Sequence, residues 1–152
     1  MALMAFAGRA LMVAIFIGSA VTQLYSWDAV TGGPTAAYMG PKLDSFFDKV
    51  SELTKMELTS EVQPHYPHIV LAAALLQLLG GALVLAGARF GSVVLLAFMM
   101  PTTFIVHAFW FEADPEIAHI ELVNFMKNLS IIGGLMMFLA GSSPPRSKSK
   151  YD

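Results

Sequence analysis

Residues 68–88, HIVLAAALLQLLGGALVLAGA, decide the fold of this chain. Between the two ends of this stretch, Gln77 is the only polar residue. An α-helix rises about 1.5 Å per residue, so about 20 residues cross the ~30 Å hydrocarbon core of a bilayer. A helix on the surface of a soluble domain would carry a polar face, whereas this stretch is apolar all round. The stretch therefore predicts a transmembrane helix.

Three other stretches share this length and apolar character. Together with 68–88, they give four predicted spans, at about 5–25, 68–88, 90–111 and 118–140. Arg9 is the only charge in the first span, and Pro101 near the middle of the third predicts a kink, because its ring removes a backbone hydrogen bond. We predict an all-α membrane protein, a four-transmembrane-helix bundle formed by residues 1–152 as one domain.

The composition agrees with lipid as the solvent. Apolar residues make up 56% of the chain and charged residues 13%, against about 25% charged in a typical soluble domain. Mean hydropathy is +0.63. A formal net charge of -2 argues against a nucleic-acid partner, and the absence of cysteine excludes disulfides, thiolate metal sites and thiol catalysis.

The first outer loop, about 26–67, is too long for a simple turn. After Pro41 its apolar residues recur with helical spacing, at Leu43, Phe46, Phe47, Val50, Leu53 and Met56. We predict an amphipathic helix over 42–58, with Pro41 in its first turn. Such a helix would lie on the outer membrane surface or cap the bundle, and a docking surface for a partner is the alternative.

Basic residues near the span ends predict the topology. One side would hold Arg9, Arg89 and the basic tail 141–152, whereas ten of the eleven acids fall on the other side. We expect both termini on the cytosolic side, or on the matrix or stromal side if the protein is organellar. The sequence does not distinguish between two host membranes, the endoplasmic reticulum and an organellar membrane of mitochondrial inner or thylakoid type.

Polar residues inside a membrane are costly, so they are functional candidates. Six of them would lie toward the outer ends of the spans: Gln23, His107, Glu121, Asn124, Lys127 and Asn128. We predict a polar cluster facing the bundle interior, with snorkelling to the interface as the alternative. Arg9 would lie toward the inner side. No catalytic residue and no metal ligand set is predicted.

Small residues recur every four positions in the first span. They are Ala10, Ala14, Gly18 and Thr22. Such a face lets another helix approach closely, as would Gly80-Gly81 and Gly133-Gly134. We expect these faces to pack within the chain, with homodimerisation as the alternative.

Several segments, in their order and spacing, resemble a known family. They are Gly8-Arg9, Gly32-Gly33-Pro34, Pro41-Lys42, His68 before the Gly80-Gly81 span, and Lys127-Asn128-Leu129-Ser130-Ile131-Ile132-Gly133-Gly134. The chain resembles the DoxX-like family, in particular its plant and algal branch of HR-like lesion-inducing proteins. The resemblance implies a four-helix membrane bundle and, through bacterial relatives, a link to quinones. Val21-Thr22-Gln23 stands where many bacterial members carry a basic residue, which weakens that link.

We expect a non-enzymatic multi-pass protein that acts as a small or accessory subunit of a larger membrane complex. Its partners would be the lipid bilayer and other membrane protein subunits. The alternatives are a quinone-linked oxidoreductase subunit and a small-solute or cargo transporter. No cofactor is predicted, although a quinone or a lipid stays open.

Overall fold

The computed structural model describes residues 2–141, which form helices joined by short turns. The helices are α1 Ala2–Ser26, α2 Gly33–Thr54, α3 Leu58–Val62, α4 Tyr66–Leu85, α5 Arg89–Val106 and α6 Pro115–Gly141. Two 3₁₀ turns, Gln63–His65 and Phe109–Phe111, precede α4 and follow α5. Within 2–141 there is no β-strand. The predicted all-α class is confirmed, and most of the tail predicted at 141–152 lies outside the described residues.

Four helical segments are long and apolar enough to cross a membrane. They are Leu3–Ser26, Leu58–Leu85, Arg89–Phe111 and Pro115–Gly141. Their length and composition are compatible with a multi-pass membrane protein. All four stretches that the sequence singled out as apolar spans are therefore helical in the structure.

Neighbours along the bundle pack in the order α1, α4, α5, α6. A shared core joins all four helices, and its buried members are Val13, Phe16, Val84, Leu95, Met99, Ile132 and Leu135. The start of α1 and the close of α6 lie at one end of the bundle, with the turn between α4 and α5. We call this the Arg9 end. The other end carries α2, and we call it the α2 end.

Glycines allow α4 and α5 to pack almost backbone to backbone. A Cβ on Gly91 would lie 2.6 Å from the backbone nitrogen of Val84 and 2.7 Å from the carbonyl oxygen of Gly80. The turn between the helices passes through Gly87 with φ +86°, a left-handed conformation that favours glycine. This contact fixes the antiparallel α4–α5 pair at the centre of the fold.

The small residues of α1 do not pack within the chain as expected. Ala14, Gly18 and Thr22 are exposed, and a Cβ added to Gly18 would meet no atom within 4 Å. The bulkier Val13 and Phe16 of α1 are buried instead. The reason is the large apolar core between the helices, which small side chains could not fill. Homodimerisation through this face stays a prediction.

Helix α2 begins earlier and ends earlier than the predicted 42–58. It starts after Gly32, which has φ 74°, and Pro34 lies in its first turn. Pro41 therefore lies inside the helix. Ala36, Gly40 and Leu43 are buried against the bundle, whereas Leu53 is 79% exposed and Met56 lies beyond the helix. The apolar stripe predicted from the sequence is thus covered by the bundle only in its first half.

Helix α5 ends at Val106, five residues before the predicted boundary at 111. His107 is its C-cap, with φ −110° and ψ 42°, and Phe109–Phe111 form a 3₁₀ turn. Inside α5, the hydroxyls of Thr102 and Thr103, which follow Pro101, donate to the carbonyls of Phe98 and Met99, each one turn back from its threonine. The helix runs through Pro101 without a break, and the predicted kink angle stays a prediction.

Candidate functional site

A partly buried cluster of three hydrogen-bonded side chains, one pair of them an ion pair, links three helices at the α2 end. Glu121 of α6 is only 5% exposed. Its Oε2 accepts a hydrogen bond from Nδ1 of His107 at 2.6 Å, and its Oε1 accepts one from Nζ of Lys42 on α2. We call Lys42, His107 and Glu121 the triad. Since a carboxylate has no donor, this geometry requires that Nδ1 of His107 carries a proton.

The helix ends explain why these three side chains meet. His107 caps the end of α5, so its ring is released from the helix and faces the second turn of α6, where Glu121 lies. Lys42 reaches Glu121 from α2, one residue before the buried Leu43. The ammonium of Lys42 also lies 4.9 Å from the centre of the Tyr38 ring, a cation–π distance.

Glu121 stabilises the charged form of Lys42. Burial lowers the pKa of Lys42. The hydrogen bonds to Glu121 and Tyr38 and the negative charge of Glu121 together raise this pKa by more than burial lowers it, so the net shift is upward. The ammonium form is therefore favoured at neutral pH. Paired buried charges are stable only while both partners are present. The triad therefore acts as one unit that holds α2, α5 and α6 together.

Two further bonds hold α2 and its entry loop against α4. The hydroxyl of Tyr66 donates to Oδ1 of Asp44 at 2.7 Å. Nε1 of Trp27 donates to the carbonyl oxygen of Pro67 at 2.9 Å. These bonds join the segment that carries Lys42 to the start of α4. They fix the position of α2 over the bundle, so the triad is held from two directions.

A cavity of about 170 Å³ lies among α1, α4, α5 and α6, next to His107. Its polar lining is drawn from four helices and the α5 cap: Ser19, Gln77, Thr102, His107 and Asn128. The remaining wall is apolar and includes Phe16 and Met99. Buried polar groups need partners, so a cavity with several of them suits a small polar group or ordered water.

An apolar groove of about 260 Å³ lies beside this cavity, between α2, α4 and α5. Phe98 and Thr102 line both spaces. The groove wall is otherwise apolar and includes Leu43, Ile69 and Pro101. A polar compartment next to an apolar one is the arrangement that a molecule with a polar head and an apolar tail would fit.

The structure divides the six predicted cluster residues into three groups. His107 and Glu121 are bonded to each other, and Asn128 lines the adjoining cavity. Gln23 belongs to a separate polar contact in which its Nε2 donates to Oγ of Ser19 at 2.6 Å. Gln77 lies close by, with 3.5 Å between its Nε2 and Oε1 of Gln23.

The other predicted residues lie elsewhere. Asn124 is half-buried and does not line the cavity, whereas Lys127 is exposed on the outer face of α6. Arg9 lies at the opposite end of the bundle, beside Gly87. The reason is helical phase, since Lys127 lies about 100° from Asn128 and about 240° from Glu121 around α6. Within 2–141, no three His, Asp or Glu residues are grouped as a metal ligand set would require.

Sequence reasoning missed Lys42. It lies 79 residues from Glu121 along the chain. A signal was present in the sequence, because Lys42 directly follows Pro41 and precedes an apolar stripe. An amphipathic helix that places a lysine beside its buried Leu43 must supply that lysine with a partner. The partner itself could not be read from the chain.

The fold and site define an all-helical protein with four membrane-length helices and the triad that ties a capping helix to them. Residues 1–140 match the family model described as HR-like lesion-inducing, and the chain belongs to that family. Comparisons with curated proteins and with solved structures returned no significant match. The wider DoxX-like relationship stays a prediction.

Proposed function

We propose that this chain is a four-span membrane protein that acts, without catalysis of its own, as an accessory subunit of a larger membrane complex. The observation that carries this proposal is the position of Lys127. It lies near the middle of α6, twelve residues after Pro115 and fourteen before Gly141, and it is exposed. Within residues 2–141, no acidic side chain lies within ion-pair distance of it.

The depth of Lys127 makes its exposure costly in a bilayer. Helix α6 has 27 residues and is about 40 Å long, so a ~30 Å core leaves Lys127 at least about 8 Å inside either boundary of an upright helix. Lysine side chains snorkel to the interface mainly from positions near helix ends, and Lys127 lies far from both ends of α6. A lysine at the centre of a lone span costs about 2.5–3.5 kcal/mol on insertion scales. A partner with a carboxylate at that depth would remove this cost.

The surface around Lys127 suits a neighbouring helix. Val123 and Ser130, one turn to either side of Lys127, are also exposed. The hydroxyl of Ser130 donates to the carbonyl oxygen of Met126. Ser130 therefore presents a small side chain whose donor already has a partner within α6. Small residues allow close helix approach in membranes, where packing and hydrogen bonds drive association. The occupant we propose is therefore a transmembrane helix of another subunit that carries Asp or Glu.

The test compares charge variants of the full-length protein in native membranes. After gentle solubilisation, wild type should purify with a stoichiometric larger subunit, and Lys127→Glu should lose it, because two carboxylates would then face each other. Lys55→Glu, an exposed lysine outside the four apolar segments, is the matched control and should retain the subunit. Reversal of one acid in the captured subunit should restore binding to Lys127→Glu. A chain that purifies alone, or a Lys127→Glu variant that binds normally, would refute the proposal.

A second candidate function, binding of a quinone or a similar lipophile with a carbonyl head, is supported by the cavity beside His107. The Asn128 amide offers a donor to a carbonyl oxygen, the His107 ring borders the same cavity, and the apolar groove beyond Phe98 offers room for a tail. Organic extracts of purified protein should then contain a bound quinone. His107→Leu should lower its content, and His119→Leu, an exposed histidine of α6, should not. Equal content in both variants would exclude this site.

A further inference from the structure

A second cavity, of about 450 Å³, opens at the Arg9 end of the bundle, remote from the triad. Its lining comes from α1, α6 and the turn between α4 and α5: Ala5, Gly8, Arg9, Met12, Gly87 and Phe138. Arg9 is the only charged residue of this lining and is half-buried. The cavity thus combines one guanidinium with apolar walls.

Arg9 is held in place by backbone groups rather than by an acid. Its Nε donates to the carbonyl oxygen of Ala5 at 3.2 Å. A Cβ on Gly87 would lie 2.2 Å from Nη1 of Arg9, so the guanidinium packs directly against the α4–α5 turn. A guanidinium carries five N–H donors, and Nε accounts for one of them. Within residues 2–141, no carboxylate lies within ion-pair distance of Arg9.

The charge of this end of the bundle is one-sided. Every acid in residues 2–141 lies between Asp28 and Glu61 or between Glu112 and Glu121, all at the α2 end. At the Arg9 end, Arg9 is joined by the exposed Arg89 at the start of α5. The described part of the chain therefore supplies no acid at this end to pair with Arg9, which leaves its guanidinium free to bind an anion from outside the chain.

The walls of the cavity indicate what kind of anion fits. Gly8 has no atom within 4 Å of where a Cβ would lie, so the space beside Arg9 is open along α1. Met12 lies deeper along the same helix and lines the cavity with Phe138. A molecule that places an anionic group on Arg9 and an acyl chain along Met12 would fill both parts. A guanidinium binds a phosphate through two parallel hydrogen bonds.

We propose that this cavity binds the phosphate of one membrane phospholipid, with an acyl chain along Gly8 and Met12. The site requires the membrane placement of the helices but not the accessory role proposed above. Its failure would therefore leave that role standing. The lipid is anionic, because a zwitterionic headgroup would bring its own cation to a phosphate that Arg9 must neutralise.

The experiment uses the full-length protein in mixed micelles containing phosphatidylglycerol and phosphatidylcholine, with retained lipids counted by native mass spectrometry. Wild type should retain one phosphatidylglycerol in preference to phosphatidylcholine. Arg9→Gln should weaken retention about tenfold, as expected when a charge-assisted contact is lost. Arg89→Gln, the matched control with the same change in net charge at the same end, should retain the lipid.

A second pair of variants leaves both arginines intact. Gly8→Leu fills the open part of the cavity, and Gly18→Leu places the same side chain on an open surface of the same helix outside it. Gly8→Leu should lose the lipid while its thermal unfolding stays like that of wild type, and Gly18→Leu should keep the lipid. Equal losses in Arg9→Gln and Arg89→Gln would indicate general electrostatic attraction and overturn the site. So would normal retention in Gly8→Leu, or displacement of the lipid by inorganic phosphate alone.

Discussion

At the scale of single residues, Glu121 makes the side-chain contacts that matter most for the stability of the site. Its two oxygens are bonded to Lys42 and His107, which belong to different helices. Removal of one partner from a buried ion pair leaves an uncompensated charge and typically costs 3–5 kcal/mol. Removal of both charges costs less, since a neutral pair needs no neutralising partner. The triad therefore predicts strong coupling between positions 42 and 121.

Glu121→Gln should lower the free energy of unfolding by about 3 kcal/mol, because it leaves the ammonium of Lys42 without its carboxylate. This value is the lower end of the 3–5 kcal/mol range, because the Lys42 side chain is still 18% exposed and water can partly solvate its charge. Lys42→Met added to Glu121→Gln should recover part of the loss. Glu116→Gln, an exposed acid of the same helix, should unfold like wild type. Reversible unfolding in mild detergent measures these proteins and the single Lys42→Met variant, and simple additivity of the two substitutions would contradict the triad.

At the scale of elements, glycine decides which helix pairs pack closely. Gly91 lies against the backbone of α4, whereas Gly18 of α1 faces open space. The same substitution at these two positions therefore tests close packing separately from helix propensity. Alanine is favoured over glycine by about 0.8–1.0 kcal/mol in a helix interior, so an open position should gain from the change.

Gly91→Ala should destabilise the bundle by about 2 kcal/mol, since its Cβ would lie within 2.7 Å of backbone atoms that cannot move independently. Gly18→Ala should be neutral or slightly stabilising. Thermal unfolding of both variants in the same detergent measures the difference. Equal stability changes in the two variants would contradict the close packing of α4 against α5 at Gly91.

Helix α2 gives a second element-scale prediction. Spin labels placed singly along Gly33–Thr54 should show accessibility with a 3.6-residue period, with minima near the buried Ala36, Gly40 and Leu43. The period should weaken toward Leu53, which is exposed. A flat profile from 33 to 54 would mean that α2 does not pack on the bundle.

At the scale of the whole molecule, the four apolar segments place both ends of the described chain at the Arg9 end. Arg9 and Arg89 lie there, and the acids of residues 2–141 lie at the other end. Basic residues near span ends favour the cytosolic side. We therefore propose, as a prediction to be tested, the orientation in which the capping helix α2 lies on the outer side.

Tags at the two termini should both be digested, or both be protected, when sealed vesicles are treated with protease. In vesicles with the cytosolic face outward, both tags should be digested. Detergent is the control that exposes every tag. One tag digested and one protected would require an odd number of spans and would contradict the four-span proposal.

The sequence by itself determined the number of long apolar helices, because hydrophobic length is a local property that needs no knowledge of neighbours. It also predicted that His107, Glu121 and Asn128 lie toward the outer ends of their spans, because position along a helix can be counted from the sequence. Boundaries were less accurate, as α2 shows, because Pro41 is tolerated within a helix that Gly32 and Pro34 begin earlier.

The tertiary structure alone decided which polar groups meet. Helical depth can be counted from the sequence, but the rotation of each helix about its axis is set by packing against the others. That rotation turned Lys127 outward, turned the small face of α1 away from the core, and brought Glu121 to Lys42 across 79 residues of chain. The ion pair depends on contacts between distant segments, and these exist only once the core of four helices has fixed their relative orientation.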